Sequence, residues 1–168
     1  MKHKIGNILA AGFAIVGLAA LASCAGEKFH VTGSIANAKD SLLYFEHNGL
    51  NGFSTVDSVK LDGKGDFSFS GDKVDNPEFY RLRIAGQIIN IGIDSTETVD
   101  VKATYPQMAT DYSVKGSYEN EKIKELALKQ IDLQARCQSI LAERPDLADS
   151  IITVLMSDYK QDVSRNYI

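Results

Sequence analysis

Two cysteines carry the most reactive side chains of this 168-residue chain. Cys24 stands where a long apolar run ends, and Cys137 lies far downstream in a segment with helical periodicity. A reactive thiol needs a helix N-terminus or a nearby cation to stabilise its thiolate. Cys137 falls in the middle of its predicted helix, on the apolar side. This position favours a small packed side chain and leaves a working thiol as the alternative.

The residues before Cys24 have the order of an export signal. Residues 1–4 carry two lysines, and residues 5–22 form a predominantly apolar run. The tetrapeptide Leu21-Ala22-Ser23-Cys24 resembles the lipobox of bacterial lipoproteins. The resemblance implies that residues 1–23 are a signal peptide and that Cys24 is lipidated. It also implies that the lipoprotein signal peptidase recognises three residues: Leu21, Ala22 and Ser23. A retained transmembrane helix is the alternative.

Lipidation at Cys24 predicts where the mature chain would act. A triacylated N-terminal cysteine anchors a protein stably, because each buried methylene group contributes about 0.8 kcal/mol. Membrane lipid is then the partner at Cys24, and residues 24–28 form a short tether. No Asp follows Cys24 directly. By resemblance to known sorting signals, this favours the periplasmic side of the outer membrane, with the inner membrane as the alternative.

Composition and charge limit the classes of function. The chain is 44% hydrophobic and 24% charged, which is typical of one globular domain. It carries 18 Lys and Arg against 22 Asp and Glu, for a formal net charge of -4. Surfaces that bind nucleic acid need clustered basic residues that neutralise phosphates. We therefore expect no nucleic-acid partner.

Histidines and carboxylates form no pattern that predicts catalysis or metal binding. His30 and His47 lack a further ligand at the short spacing of a zinc site. The aspartates within residues 57–75 lack the spacing of a calcium loop, and no motif pairs a nucleophile with a base. We expect no catalytic residue, no cofactor, no metal and no enzyme activity. Four tyrosines could stack on a sugar or a peptide, with cross-strand pairs as the simpler interpretation. They are Tyr44, Tyr105, Tyr112 and Tyr118.

Apolar and polar residues alternate through residues 29–116, as in half-buried strands. Asp62-Gly63 separates two such runs and predicts a hairpin between residues 59–61 and 67–69. A second hairpin is predicted around residues 85–87. Short strands separated by turn residues at about 8 to 12 positions predict a mainly β fold. We expect an antiparallel β-sandwich or open barrel over residues 29–116.

The apolar period changes to that of helices after Gly116. Ser117 is a suitable N-cap, and Glu119 in the first turn interacts favourably with the helix dipole. Apolar residues then recur on one broad stripe until Pro145, which favours the start of a second helix. Residues 117–168 are therefore predicted to form two amphipathic α-helices, a linker-like segment after the β domain.

Five segments, in this order, resemble a known β domain. They are Phe29-His30-Val31-Thr32-Gly33-Ser34-Ile35, Asp57 to Phe69, Phe79-Tyr80-Arg81-Leu82, Ile91-Gly92-Ile93-Asp94, and Val114 to Asn120. The domain they resemble has unknown function and precedes a thioredoxin-like domain in many periplasmic lipoproteins. The resemblance implies that the helices lead into a thiol-disulfide oxidoreductase or peroxiredoxin-like domain with a Cys-x-x-Cys motif. This sequence contains no such motif, so we interpret the thioredoxin domain as absent.

Two functions of different classes follow from these expectations. The first is a membrane-anchored periplasmic lipoprotein with a non-catalytic accessory or interaction domain of the thioredoxin-associated kind, whose further partner is a protein. The second is the N-terminal part of a thiol-disulfide oxidoreductase or peroxiredoxin-like lipoprotein whose catalytic domain lies beyond Ile168. An in-frame Cys-x-x-Cys segment after the codon for Ile168 would support the second.

Overall fold

The computed structural model describes residues 27–167 and shows a mainly β fold followed by two helices. The strands are β1 (Lys28–Ala36), β2 (Leu42–Gly49), β3 (Gly52–Lys60), β4 (Asp66–Asp72), β5 (Glu78–Ile84), β6 (Gln87–Ile93), β7 (Thr98–Thr104) and β8 (Tyr112–Lys115). The helices are α1 (Tyr118–Glu143) and α2 (Ala148–Asn166). The predicted order of a β domain and two helices is confirmed.

The strands form two four-stranded sheets that pack as a sandwich. The first sheet has the order β4-β1-β7-β8, and the second has the order β3-β2-β5-β6. Paired neighbours are antiparallel except β1 and β7, which run parallel with Val31 opposite Val99. The sheets do not close into a barrel, and the predicted sandwich is confirmed.

Alternate residues of each strand fill the space between the sheets, because successive side chains of a strand point to opposite faces. In β4, for example, Phe67 and Phe69 are buried while the serines beside them are exposed. At the centre of the core, the ring of Phe45 stacks on Phe69 and on Tyr80, with centroids 5.2 Å and 4.9 Å apart. This packed core supports the outer faces of both sheets.

The turn at Asp62-Gly63 forms, but it does not close the predicted hairpin. The Asp62 carboxylate accepts hydrogen bonds from the N–H groups of Lys64 at 2.8 Å and Gly65 at 3.1 Å. β3 pairs with β2, whereas β4 pairs with β1 in the other sheet. Leu61 is buried at the crossing, and the Ile35 N–H donates to the Gly65 carbonyl at 3.0 Å. The hairpin prediction was wrong because a local turn signal does not specify which sheet the next strand joins.

Two hairpins belong to the second sheet. The one predicted around residues 85–87 is confirmed, since β5 and β6 pair from Glu78 opposite Ile93 to Ile84 opposite Gln87. The other joins β2 to β3 and was not predicted. β3 is exposed along its length except at half-buried Val59, so burial imposes no clear alternation on its sequence.

α1 closes the side of the sandwich between the edge strands β6 and β8. Ser117 is its N-cap, as predicted, and its Oγ accepts a hydrogen bond from the Asn120 N–H at 3.1 Å. The Asn120 side chain accepts from the Gly92 N–H at 2.9 Å and donates to the Gly92 carbonyl at 2.8 Å. Lys124 donates to the backbone carbonyl of Tyr112. α1 is therefore bonded to both edge strands.

α2 packs along α1, with Lys129 and Asp162 paired at 2.6 Å. The chain breaks between the helices at Pro145, as predicted, but α2 begins three residues later, at Ala148. A helix of 26 residues is about 39 Å long, whereas a seven-residue strand spans about 23 Å. α1 therefore extends beyond the sandwich. On this extension and on α2, several apolar side chains are exposed, among them Leu141 and Val154.

The predicted signal peptide and the lipidation site lie outside the described residues. These predictions concern Leu21, Ala22, Ser23 and Cys24. Within residues 27–167, no helix is both long and apolar enough to span a membrane.

Candidate functional site

One end of the sandwich brings together the start of β1, the turn between β6 and β7, and the start of α1. The His30 N–H donates to the carbonyl of Glu97 in that turn at 3.0 Å. β1 begins at Lys28, four positions after Cys24 in the sequence. The end of the sandwich that holds these segments therefore lies next to the predicted tether.

A groove opens at this end between α1 and the outer face of β5 and β6. Phe79 and Gly92 line its floor, and Tyr118 and Ile123 line its wall. Phe79 is 53% exposed and Tyr118 is 67% exposed, so both rings face solvent. The cavity has a volume of about 320 Å³. A Cβ atom at position 92 would lie 2.9 Å from Cδ1 of Ile123, so glycine there allows α1 to approach the sheet closely.

Carboxylates surround the apolar floor of this groove. The four acidic residues of the lining are Glu78, Asp94, Glu97 and Glu119. Glu97 is held in place by the N–H groups of Asp94 and Ser95, which donate to its carboxylate at 2.8 Å and 3.0 Å. Lys122 is the lining's basic residue, and its ammonium pairs with Glu125 at 3.0 Å. The groove therefore combines an apolar floor with an acidic rim.

A second cavity of about 460 Å³ continues the groove along α1. It shares Phe79 and Ile123 with the first and adds Phe53 of β3, which is 50% exposed, and Leu126 of α1. The two cavities lie next to each other along the outer face of the second sheet, and their linings are largely apolar. We call this pair of cavities the α1 groove.

Three ionised side chains form a network on the same face, next to Phe53. The Glu46 carboxylate accepts from Nε of Arg81 at 2.6 Å and from the terminal nitrogen of Arg83 at 2.7 Å. Each guanidinium covers an aromatic ring, since Arg81 lies 3.3 Å from the Phe53 ring centroid and Arg83 lies 4.4 Å from that of Tyr44. These cation–π contacts fix the arginine side chains flat against the sheet.

The charge state of this network follows from its contacts. The hydrogen bond from Arg83 holds the pKa of Glu46 below its ordinary value, against the opposing effect of burial, and Arg81 acts in the same direction as Arg83. The hydrogen bond to Glu46 in turn raises the pKa of Arg83. One carboxylate between two guanidinium groups leaves a net charge of about +1. Because Glu46 stays ionised and is occupied by both arginines, it stabilises the sheet face rather than serving as a base.

Comparison with family models identifies the family to which the chain belongs. The model described as "Domain of unknown function (DUF4369)" matches residues 29–123, which is more than half of the sequence. The chain belongs to this DUF4369 family. The matched region runs from β1 to Ile123, so it includes all eight strands, the Asn120 hydrogen bonds and the first turns of α1.

Other comparisons add little to the DUF4369 assignment. No curated protein matches the chain. The crystal structure of (S)-allantoin synthase is similar at 12% sequence identity with a TM-score of 0.39. That similarity covers 55% of this chain and 44% of the other, so the match spans less than half the length of that protein. A likeness this weak carries no functional argument.

In the DUF4369 domain, the histidines and aspartates that were weighed as metal ligands lie apart. His47 pairs with Glu78 at the edge of the groove, whereas His30 is exposed on β1. Asp62 caps its own turn, and Asp72 pairs with Lys28 at 2.9 Å. Within residues 27–167, no three His, Cys, Asp or Glu side chains come together as metal ligands.

The remaining candidates have different surroundings. Cys137 is a free thiol and is half-buried on α1, less buried than its position on the apolar stripe indicated. Tyr112 is buried in the core, and this burial raises its pKa to about 12. Tyr44 lies under Arg83, and Tyr118 alone of the four candidate tyrosines lines the groove. Tyr105 packs against the core at its margin.

The groove and the charge network were not predicted from the sequence. One signal was present: in Tyr80-Arg81-Leu82-Arg83-Ile84, the alternation places both arginines on the face opposite the core. Glu46 takes part in the charge network because of a bulge between Phe45 and Glu46, which shifts the pairing of β2 with β3. No local sequence pattern predicts this bulge. The groove depends on where α1 packs, which is set by long-range contacts.

Proposed function

We propose that this chain is a lipid-anchored periplasmic lipoprotein whose DUF4369 domain is a non-catalytic accessory domain that binds another protein. The α1 groove is the observation that carries the interaction role. Phe53, Phe79 and Tyr118 are each at least half exposed along this groove. Large apolar side chains grouped on a surface are typical of protein interaction sites, and aromatic residues supply much of their binding energy.

A lipid anchor at Cys24, as predicted, would fit the same proposal through the position of the groove. Lys28 lies four positions after Cys24, and four steps of extended chain span about 14 Å at most. The rim residue Glu97 is bonded to His30, two positions after Lys28. A lipid at Cys24 would therefore keep the groove near the membrane surface, where it would meet partners that are themselves bound to or passing close to the membrane.

In-cell photo-crosslinking tests the interaction role. A photoreactive amino acid replaces Phe79 in the full chain, and the matched control replaces Ser68, which is exposed on β4 of the opposite sheet. We expect a discrete protein adduct from position 79 that is absent from position 68. Equal adduct patterns at both positions, or no protein adduct at position 79, would contradict a binding role for the groove.

The alternative is a thiol-disulfide oxidoreductase or peroxiredoxin-like lipoprotein of which this sequence is the N-terminal part. The exposed apolar side chains of the helical pair favour it, because a following domain would cover them. Leu147 and Val154 are 41% and 58% exposed. Sequencing the gene past the codon for Ile168 decides this: an in-frame Cys-x-x-Cys segment supports the alternative, and a stop codon followed by unrelated sequence contradicts it.

A further inference from the structure

We infer that the α1 groove binds a segment of a protein partner in which one bulky apolar side chain is flanked by lysine or arginine. This inference rests on the proposed interaction role and adds the chemistry of the partner. The apolar side chain would occupy the floor at Phe79, and the basic groups would meet the carboxylates of the rim. Both parts of the argument follow from the lining of the groove.

The floor selects for an apolar group. Pro77, Phe79 and Ile123 present carbon to the cavity near the start of α1. Ligand pockets for small molecules usually occupy about 300 to 1,000 Å³, and the 320 Å³ here is at the lower limit. A space of this size suits one or two side chains. Transfer of such side chains from water onto the floor is favourable in proportion to the apolar area they bury.

The rim selects for positive charge next to that apolar group. Four carboxylates and one lysine line the cavity, and the lysine pairs with Glu125. Glu78 pairs with His47, and the turn N–H groups hold Glu97. Among the described residues, Asp94 and Glu119 have no side-chain partner in hydrogen bonds or ion pairs. Two exposed carboxylates beside an apolar slot are therefore available to a basic ligand.

Hydrogen bonds within the domain preform the site. The Asn120 side chain fixes α1 to β6 at Gly92, and the Glu97 carboxylate fixes the turn that carries Asp94. A preformed site loses little conformational freedom on binding, which favours affinity for a short segment. The same acidic rim disfavours an anionic lipid surface as the occupant, because like charges repel at short distance.

Fluorescence anisotropy with three labelled, C-terminally amidated peptides tests the inference on the full chain in neutral detergent. The probes are Gly-Ser-Lys-Phe-Lys-Ser-Gly, Gly-Ser-Glu-Phe-Glu-Ser-Gly and Gly-Ser-Lys-Ser-Lys-Ser-Gly. We expect the first to bind about tenfold more tightly than the other two at low salt. We also expect its affinity to fall as salt is raised, because exposed charges are screened within a Debye length of about 10 Å at 0.1 M.

Paired variants separate the contributions of floor and rim. Phe79→Ser and the double variant Asp94→Asn with Glu119→Gln should each weaken binding of the Lys-Phe-Lys probe about fivefold or more. The matched controls are Val154→Ser and Asp149→Asn, which change an exposed apolar and an exposed acidic residue of α2. We expect neither control to change the affinity.

The outcomes distinguish this inference from the function on which it rests. Equal affinity for the Lys-Phe-Lys and Glu-Phe-Glu probes, or no binding of the first, would overturn the inference. A protein adduct at position 79 in cells would then leave the interaction role standing with a partner of other chemistry. If no protein adduct forms at position 79 in cells, the interaction role itself is contradicted. Binding to anionic phosphatidylglycerol vesicles that Phe79→Ser abolishes would also overturn the inference, in favour of a lipid surface.

Discussion

Asn120 replaces a neighbouring strand at the free edge of β6, because its side-chain amide bonds both backbone groups of Gly92, at 2.9 Å and 2.8 Å. Its amide nitrogen also donates to Oγ of Ser117 at 2.8 Å. Asn120 is 1% exposed, so these hydrogen bonds lie away from water. One buried side chain therefore sets the position of α1 and, with it, the wall of the α1 groove.

The first prediction concerns this joint. Asn120→Ala should lower the free energy of unfolding by about 2 to 3 kcal/mol, because it leaves the Gly92 N–H and carbonyl without partners. Urea denaturation of the full chain measures the change. Asn90→Ala is the matched control, since Asn90 is exposed on the same strand, and it should stay within about 0.5 kcal/mol of the wild type. A loss at position 120 no larger than that of the control would contradict this account of the joint.

The second prediction concerns the crossing between the sheets. Gly65 has φ of +72°, and a Cβ atom there would lie 2.0 Å from the Ile35 carbonyl oxygen. Gly65→Ala should therefore cost about 3 kcal/mol or prevent folding, through backbone strain and this clash. Gly63→Ala in the same turn meets no atom within 4 Å and should be nearly neutral. Similar denaturation midpoints for the two variants would show that the crossing is not built as described.

The third prediction concerns the Glu46 network and pH. The folded-state pKa of Glu46 is lowered from 4.5, so its stabilisation is complete above pH 4.5 and is lost as pH falls through the folded-state value. Glu46→Gln should cost about 2 to 3 kcal/mol at pH 7, because Arg81 and Arg83 lose a nearly buried partner. That difference should shrink at pH 3. Glu121→Gln, on the exposed surface of α1, is the control, and a cost at position 46 that does not change with pH would contradict the prediction.

The sequence predicted those parts of the fold that local patterns determine. The alternation around Tyr80 and Ile91 placed the β5–β6 hairpin correctly, and Ser117 marked the N-cap of α1. The pairing partner of β4 was predicted wrongly because the local sequence Asp62-Gly63 is typical of a hairpin. In the structure, the buried side chain of Leu61 and the hydrogen bond from Ile35 to Gly65 place this turn where the chain crosses from one sheet to the other. Sheet pairing between distant segments depends on the whole core, which no local window contains.

The candidate site was less predictable than the fold. The sequence predicted no site at Cys137, His30 or the turn aspartates, and it did not indicate the residues that line the groove. Phe79 and Gly92 look like ordinary strand residues until α1 packs beside them. Tyr118 was among the candidates, but only the docking of α1 through Asn120 places it opposite Phe79.

Lipid labelling at Cys24 is the most direct test of the proposed function. Cells that express the full chain are labelled with radioactive palmitate, and the membrane fraction is collected. The wild type and the control Cys137→Ala, which keeps the predicted lipidation site, should carry the label and sediment with membranes. Cys24→Ala should lose the label and leave the membrane fraction or accumulate unprocessed. Normal labelling and processing of Cys24→Ala would contradict the proposal that Cys24 is the lipid anchor of this domain.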